Sequence, residues 1–269
     1  MKGKKILFIS SEVIPYTPQT QLSSMTYKLP KLINENQGQT RIFIPKYGII
    51  NERRHQLHEV IRLSGINLII NDMDMPLIIK VASIPKERMQ VYFIDSEDYF
   101  KDRNNFFDDG GKLYNDNDER AIFYAKGVIE TIKKLNWAPN LVHIHGWISS
   151  LIPLYIKHYY KDDPTFNNTK TIVSIYDDRL SGKFDRNFLK KIQFDEIVEK
   201  NLELLKNPTY ENLYKLSISM ADGVIFSSKS SKEKFKELIK NNKPTLECSG
   251  DDNDYKVKYL KFYNSILDE

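Results

Sequence analysis

Short dense apolar runs alternate along the chain with longer stretches whose apolar residues recur every three or four positions. The runs predict strands over 4–10, 40–44, 89–94, 141–145, 170–175 and 223–226. The longer stretches predict helices over 22–36, 118–135, 148–160, 188–205, 210–220, 230–240 and 255–267. In the first helix Leu22, Met25, Leu29, Leu32 and Ile33 fall on one face, and Pro30 is expected to kink it or end its first segment. The helix over 118–135 starts with Asp118-Glu119 and ends with Lys133-Lys134, which suits the helix dipole. Residues 60–84 differ: the β-rich runs 60–63, 66–70 and 77–84 are separated by turn residues and read as a hairpin excursion from the main sheet.

Strands alternating with helices imply a layered α/β fold with a largely parallel sheet. The first 240 residues read as one domain, 241–254 as a linker rich in Asn, Asp, Gly and Pro, and 255–269 as a terminal helix.

Composition narrows the class. With 269 residues, 41% of them hydrophobic and 28% charged, the chain can bury a substantial core. Forty basic against 36 acidic residues leave a dispersed charge of +4, which gives no nucleic-acid footprint. Cys248 is the single cysteine, so no intrachain disulfide is possible. The N-terminal apolar run is too short for a signal-peptide core, and no apolar stretch reaches the ~18 residues of a membrane span. A cytoplasmic protein is the expectation. Eleven glycines are few for this length, which matters because phosphate-cradling loops usually need glycine.

Several ordered blocks carry a family resemblance. Ser11-Glu12-Val13-Ile14-Pro15 precedes a short gap and then a helix containing Leu29-Pro30. Arg41-Ile42-Phe43-Ile44-Pro45-Lys46-Tyr47-Gly48 follows, and further on Asp95-Ser96-Glu97-Asp98-Tyr99-Phe100. The most specific block is Trp137-Ala138-Pro139-Asn140-Leu141-Val142-His143-Ile144-His145-Gly146-Trp147, and 217–228 forms a last one. Together they resemble bacterial glycogen synthases and plant starch synthases over roughly 4–231. The resemblance implies a single Rossmann-like domain, similar to the N-terminal half of a GT-B glycosyltransferase. In that family this half receives the glucan, and a second domain, expected to be missing here, holds ADP-glucose or UDP-glucose. The last helix resembles the one that crosses back onto the N-terminal domain in full-length relatives; any amphipathic tail helix is the alternative.

The resemblance also implies a site, and there the chain departs from it. The family's loop lysine falls on Pro18, its two glycines on Thr20 and Gln21, and an acid on Ser24. Its strand-end aspartate falls on Gly146, and its His-Asn pair on Tyr176-Asp177. Pro18 offers neither charge nor N–H. Tyr176 can donate a hydrogen bond without reproducing an imidazole. Asp177 and Asp178 sit where α/β folds place ligands, but adjacent residues in an extended segment point apart. His143 and His145 read as structural histidines rather than metal ligands, and Trp147 as packing rather than a sugar platform. The ligand-binding candidates are Gln19, Thr20, Gln21, His145, Tyr176 and Asp177; no metal and no cofactor are expected.

Function is accordingly expected to be that of a glycogen/starch synthase-like glycosyltransferase domain, catalytically weakened or inactive. The alternatives are an α-glucosyltransferase completed by a separate partner chain, and a non-catalytic glucan-binding or regulatory protein. Expected ligands are an α-glucan or a sugar nucleotide, and expected partners a second copy or a nucleotide-binding chain, with no nucleic acid and no membrane.

Overall fold

A computed structural model describes residues 1–177, 182–239 and 243–268. Its centre is strand β1 (Lys5–Ser10). On one side lie β2 (Gln39–Pro45) and β6 (Met89–Asp95); on the other lie β7 (Leu141–His145), β8 (Lys170–Ile175), β9 (Gly223–Phe226) and β10 (Thr245–Glu247). These seven strands run parallel. Beyond β6, an antiparallel edge is built from β3 (His58–Glu59), β4 (Ile66–Ile70) and β5 (Met73–Ile84). Both faces of the parallel strands are covered, so β7 is buried at every residue and β1 at all but Lys5.

The connections are mostly helical. Helix α1 (Gln21–Glu35) joins β1 to β2, and the one-turn α2 (Glu52–His55) precedes β3. Helix α3 (Asn117–Lys134) carries the chain from β6 to β7, and α4 (Ile152–Leu154) follows β7. Helices α5 (Phe188–Gln193) and α6 (Tyr210–Met220) come between β8 and β9. After β9 come α7 (Lys229–Lys234) and finally α8 (Tyr255–Leu267). Gly127 lets α3 lie close on the sheet: a Cβ there would stand 3.1 Å from Leu77 and 3.2 Å from Ile94. The β4–β5 hairpin turns on Asn71 and Asp72, both at positive φ, as a two-residue turn that follows the sheet twist requires.

Topology places the site. From β1 the chain steps outward through β2 to β6, then returns through α3 to β7 on the other side of β1. That reversal opens a crevice at the carboxyl ends of β1 and β7, the usual ligand position in open α/β sheets.

Several elements depart from the expected pattern. Pro30 lies inside α1 without ending it. Residues 60–63 form a turn, in which Ser64 N and Leu63 N both bond the Val60 carbonyl. The helix expected over 148–160 is instead a 3-10 turn at Trp147–Ser149, α4 with Pro153 in its first turn, and a π turn at Tyr155–Tyr159. The helix expected over 188–205 breaks after Gln193, with Glu196 at positive φ, and resumes as the 3-10 segment Lys200–Lys206. The stretch 241–254, read from composition as a linker, contributes β10, paired with β9 from Thr245 to Glu247.

Helix α8 lies against the sheet with Tyr259, Phe262, Tyr263 and Ile266 buried. Gly223 makes room for it, since a Cβ there would stand 2.9 Å from Ile266 and 3.1 Å from Phe262. No described helix is long and apolar enough to cross a membrane.

Candidate functional site

A cleft of about 450 Å³ opens at the switch point. Ser11 and Glu12 follow β1, Gly146 and Trp147 follow β7, and Tyr176 and Asp177 follow β8. The N-terminal end of α1 adds Thr20, Gln21 and Leu22, and the loop after β6 adds Asn105, Phe106 and Phe107. Carboxylates and aromatic rings are thus present, whereas no lysine or arginine is among the described residues of the lining.

The helix start is organised by Thr20. As N-cap it accepts the Ser23 N–H at 2.9 Å, while its own N–H donates to Ser23 Oγ at 2.7 Å, a reciprocal capping box. The Thr20 hydroxyl also donates to Glu12 Oε2 at 2.7 Å. Ser23 Oγ in turn donates to the Pro18 carbonyl at 2.9 Å. The loop is therefore held by its own polar side chains. Gln21 points toward the C-terminal segment, its amide 3.5 Å from Ser249 Oγ.

Gly146 takes φ +81°, a left-handed conformation that side chains disfavour. A Cβ built there would collide with Ser11 Oγ and stand 3.0 Å from Leu22 Cδ1. The corner between β7 and the 3-10 turn is closed to any larger residue while Ser11 and Leu22 stand where they do. Ser11 is buried, and its Oγ has no hydrogen-bond partner.

Behind the wall runs a buried polar chain. Tyr176 OH bonds His145 Nδ1 at 2.8 Å. The His145 ring lies 4.0 Å from that of His143. His143 bonds Tyr263 OH of α8 through Nδ1 and Ser174 Oγ through Nε2, both at 2.7 Å. Burial disfavours the charged imidazolium, holding His145 down to about 3 and His143 well below the usual histidine range. Both histidines are thus neutral at ordinary pH. Among the described residues, no group of three or more His, Cys, Asp or Glu is placed to hold a metal ion.

Trp147 is almost fully enclosed by Phe106, Tyr210 and Phe184, with ring centroids 5.0, 5.2 and 5.6 Å away. It packs and lines the cleft at once, and its indole Nε1 is buried without a partner. Asn117 at the start of α3 braces this layer, donating at 3.1 Å both to the Phe106 carbonyl and to Tyr210 OH. Its side-chain oxygen accepts from buried Arg120 at 2.7 Å.

The structure therefore brings together Thr20, Gln21, Gly146, Tyr176 and Asp177, with His145 behind Tyr176. Gln19 and Ser24 instead line an adjoining hollow with Met25, Lys28 and Gly250, and Pro18 lines neither. Asp178 and Arg179 lie outside the described residues. Sequence reasoning missed Ser11, Glu12 and Leu22 as lining residues, and the Asn105–Phe107 stretch. The signal for the last was its position in a turn-rich loop directly after a parallel strand.

A mostly parallel sheet, helices on its faces and a crevice at the switch point give a Rossmann-like fold resembling the N-terminal half of a GT-B glycosyltransferase. The chain belongs to the starch synthase catalytic domain family, whose model matches residues 5–241. It is 36% identical over 199 residues to a glycogen synthase of Chlorobium luteolum, covering 73% of this chain and 40% of that protein. To a glycogen synthase of Chlorobium phaeovibrioides it is 33% identical over 235 residues, covering 84% and 46%. The chain thus spans less than half the length of these relatives. The solved catalytic domain of starch synthase IV from Arabidopsis thaliana, bound to ADP and acarbose, shares the fold with a TM-score of 0.75 at 13% identity. That likeness covers 92% of this chain and 52% of the other.

Proposed function

We propose that this glycogen/starch synthase-like domain binds a neutral α-glucan in the switch-point cleft and is weakened or inactive in glucosyl transfer. The observation that carries the reading is the lining of the cleft: aromatic faces, amides, hydroxyls and two carboxylates, with no cation among the described residues. A glucan offers many hydroxyl donors for the carboxylates and apolar ring faces for the aromatic side chains. A pyrophosphate would meet the carboxylates of Glu12 and Asp177, and the described lining residues include no lysine or arginine. Each charge-assisted hydrogen bond it forgoes is worth about 1.5–3 kcal/mol. The positions that the resemblance assigns to chemistry carry Pro18, Thr20, Gln21, Ser24, Gly146 and Tyr176, and Thr20 and Tyr176 are engaged in bonds within the protein. The test is glucosyl incorporation into maltoheptaose from ADP-glucose and UDP-glucose, beside direct maltoheptaose binding. Binding without incorporation is expected.

A second reading is an active α-glucosyltransferase whose sugar-nucleotide grip is supplied by another chain or domain. The 33–36% identity to proteins named glycogen synthase favours it. Incorporation that appears on adding a nucleotide-binding partner would establish it over the first. Self-association through the cleft face finds little support, since none of the exposed large apolar side chains among the described residues lines the cleft.

A further inference from the structure

Two polar atoms at the Gly146 corner have no partner: Ser11 Oγ and Trp147 Nε1. Their side chains are 1% exposed each, yet both residues line the cleft. A native fold seldom leaves two buried hydrogen-bonding groups unmatched at one corner unless something else completes them. Ser11 stands where a side chain at 146 would begin, because a Cβ on Gly146 would overlap its Oγ. The hydroxyl therefore takes the place that a larger residue at 146 would occupy.

We infer that Ser11 Oγ and the Trp147 indole N–H are a ligand-reading pair, each hydrogen-bonding a hydroxyl of a neutral saccharide in the cleft. This deepens the glucan reading and rests on it. A serine hydroxyl both donates and accepts, whereas an indole N–H only donates. Saccharide hydroxyls can accept from the indole and exchange bonds with the serine. The absence of a Cβ at Gly146 is what leaves the Ser11 hydroxyl its place at the cleft wall. The pair carries no charge, so it selects for hydroxyls and offers nothing to a phosphate's negative charge beyond ordinary hydrogen bonds.

The test is Ser11→Ala, read in two ways against the wild type. Thermal unfolding is expected at the same or a higher temperature, because a hydroxyl with no partner in the protein holds nothing together. The dissociation constant for maltoheptaose, measured by calorimetry, is expected to rise about threefold to tenfold, the worth of one neutral hydrogen bond. A lower unfolding temperature shows that the hydroxyl serves the fold and overturns the inference. Unchanged affinity at unchanged stability overturns it too and leaves the glucan reading standing. Wild-type protein that does not bind maltoheptaose removes the glucan reading and the inference with it.

Discussion

Thr20 Oγ1 and Glu12 Oε2 are joined by a 2.7 Å hydrogen bond in the wall of the cleft. The same hydroxyl accepts the Ser23 N–H at the start of α1. One side chain thus ties the loop after β1 to the helix that follows. A glycine at 20 would leave both partners without it. Side-chain bonding rather than backbone flexibility sets the loop at this position.

Thr20→Ala removes both bonds. Loss of an N-cap of this kind costs about 1 kcal/mol. Urea unfolding should show a lower midpoint with an unchanged slope. An unchanged midpoint would show that the cap contributes nothing.

Gly146→Asp, which places a carboxylate at the strand end, should destabilise the protein without giving activity. Positive φ in a non-glycine residue costs on the order of 1–3 kcal/mol, and the clash with Ser11 and Leu22 adds to it. The measurement is thermal unfolding of Gly146→Asp alone and combined with Ser11→Gly. The second variant should recover part of the loss.

His143 and His145 should not titrate in the native protein between pH 7.5 and 4.5, in contrast to an ordinary histidine near 6.5. Their native values are lowered, so below about pH 6.5 the unfolded chain binds protons that the native chain refuses. Each histidine therefore withdraws up to about 1.4 kcal/mol of stability per pH unit as pH falls below that point. Asp118 works the other way: burial pushes it up to about 6, so below that pH the native state holds a proton the unfolded chain binds less readily. Imidazole proton shifts followed by NMR check the histidines directly. A native midpoint near 6.5 for either ring would contradict the burial argument.

Tyr263→Phe leaves His143 Nδ1 buried without its partner. An orphaned buried polar group costs about 1–3 kcal/mol. Unfolding should shift accordingly, and maltoheptaose binding should weaken if the Tyr263–His143–His145–Tyr176 layer positions the cleft wall.

Much of this architecture is legible from residue pattern, since the parallel strands are dense apolar runs and α1, α3 and α6 keep a regular apolar face. What escaped depends on contacts far apart in sequence. β10 forms because Thr245–Glu247 finds the open edge of β9, not because its three residues announce a strand. The stretch after β7 breaks into short turns around Pro153, although its apolar spacing suits one helix. In the site, the loop substitutions were readable one by one, but the meeting of Ser11 with Gly146 was not. Some 135 positions separate them, and their contact is set by the pairing of Ser10 with His145 between β1 and β7.

On the proposed function the cleft takes a neutral glucan and not a sugar nucleotide. Calorimetric titration of the same protein with maltoheptaose and with ADP-glucose tests it most directly. The account predicts saturable maltoheptaose binding, little changed by salt, and no saturable heat with ADP-glucose. Saturable, salt-sensitive binding of ADP-glucose would contradict it.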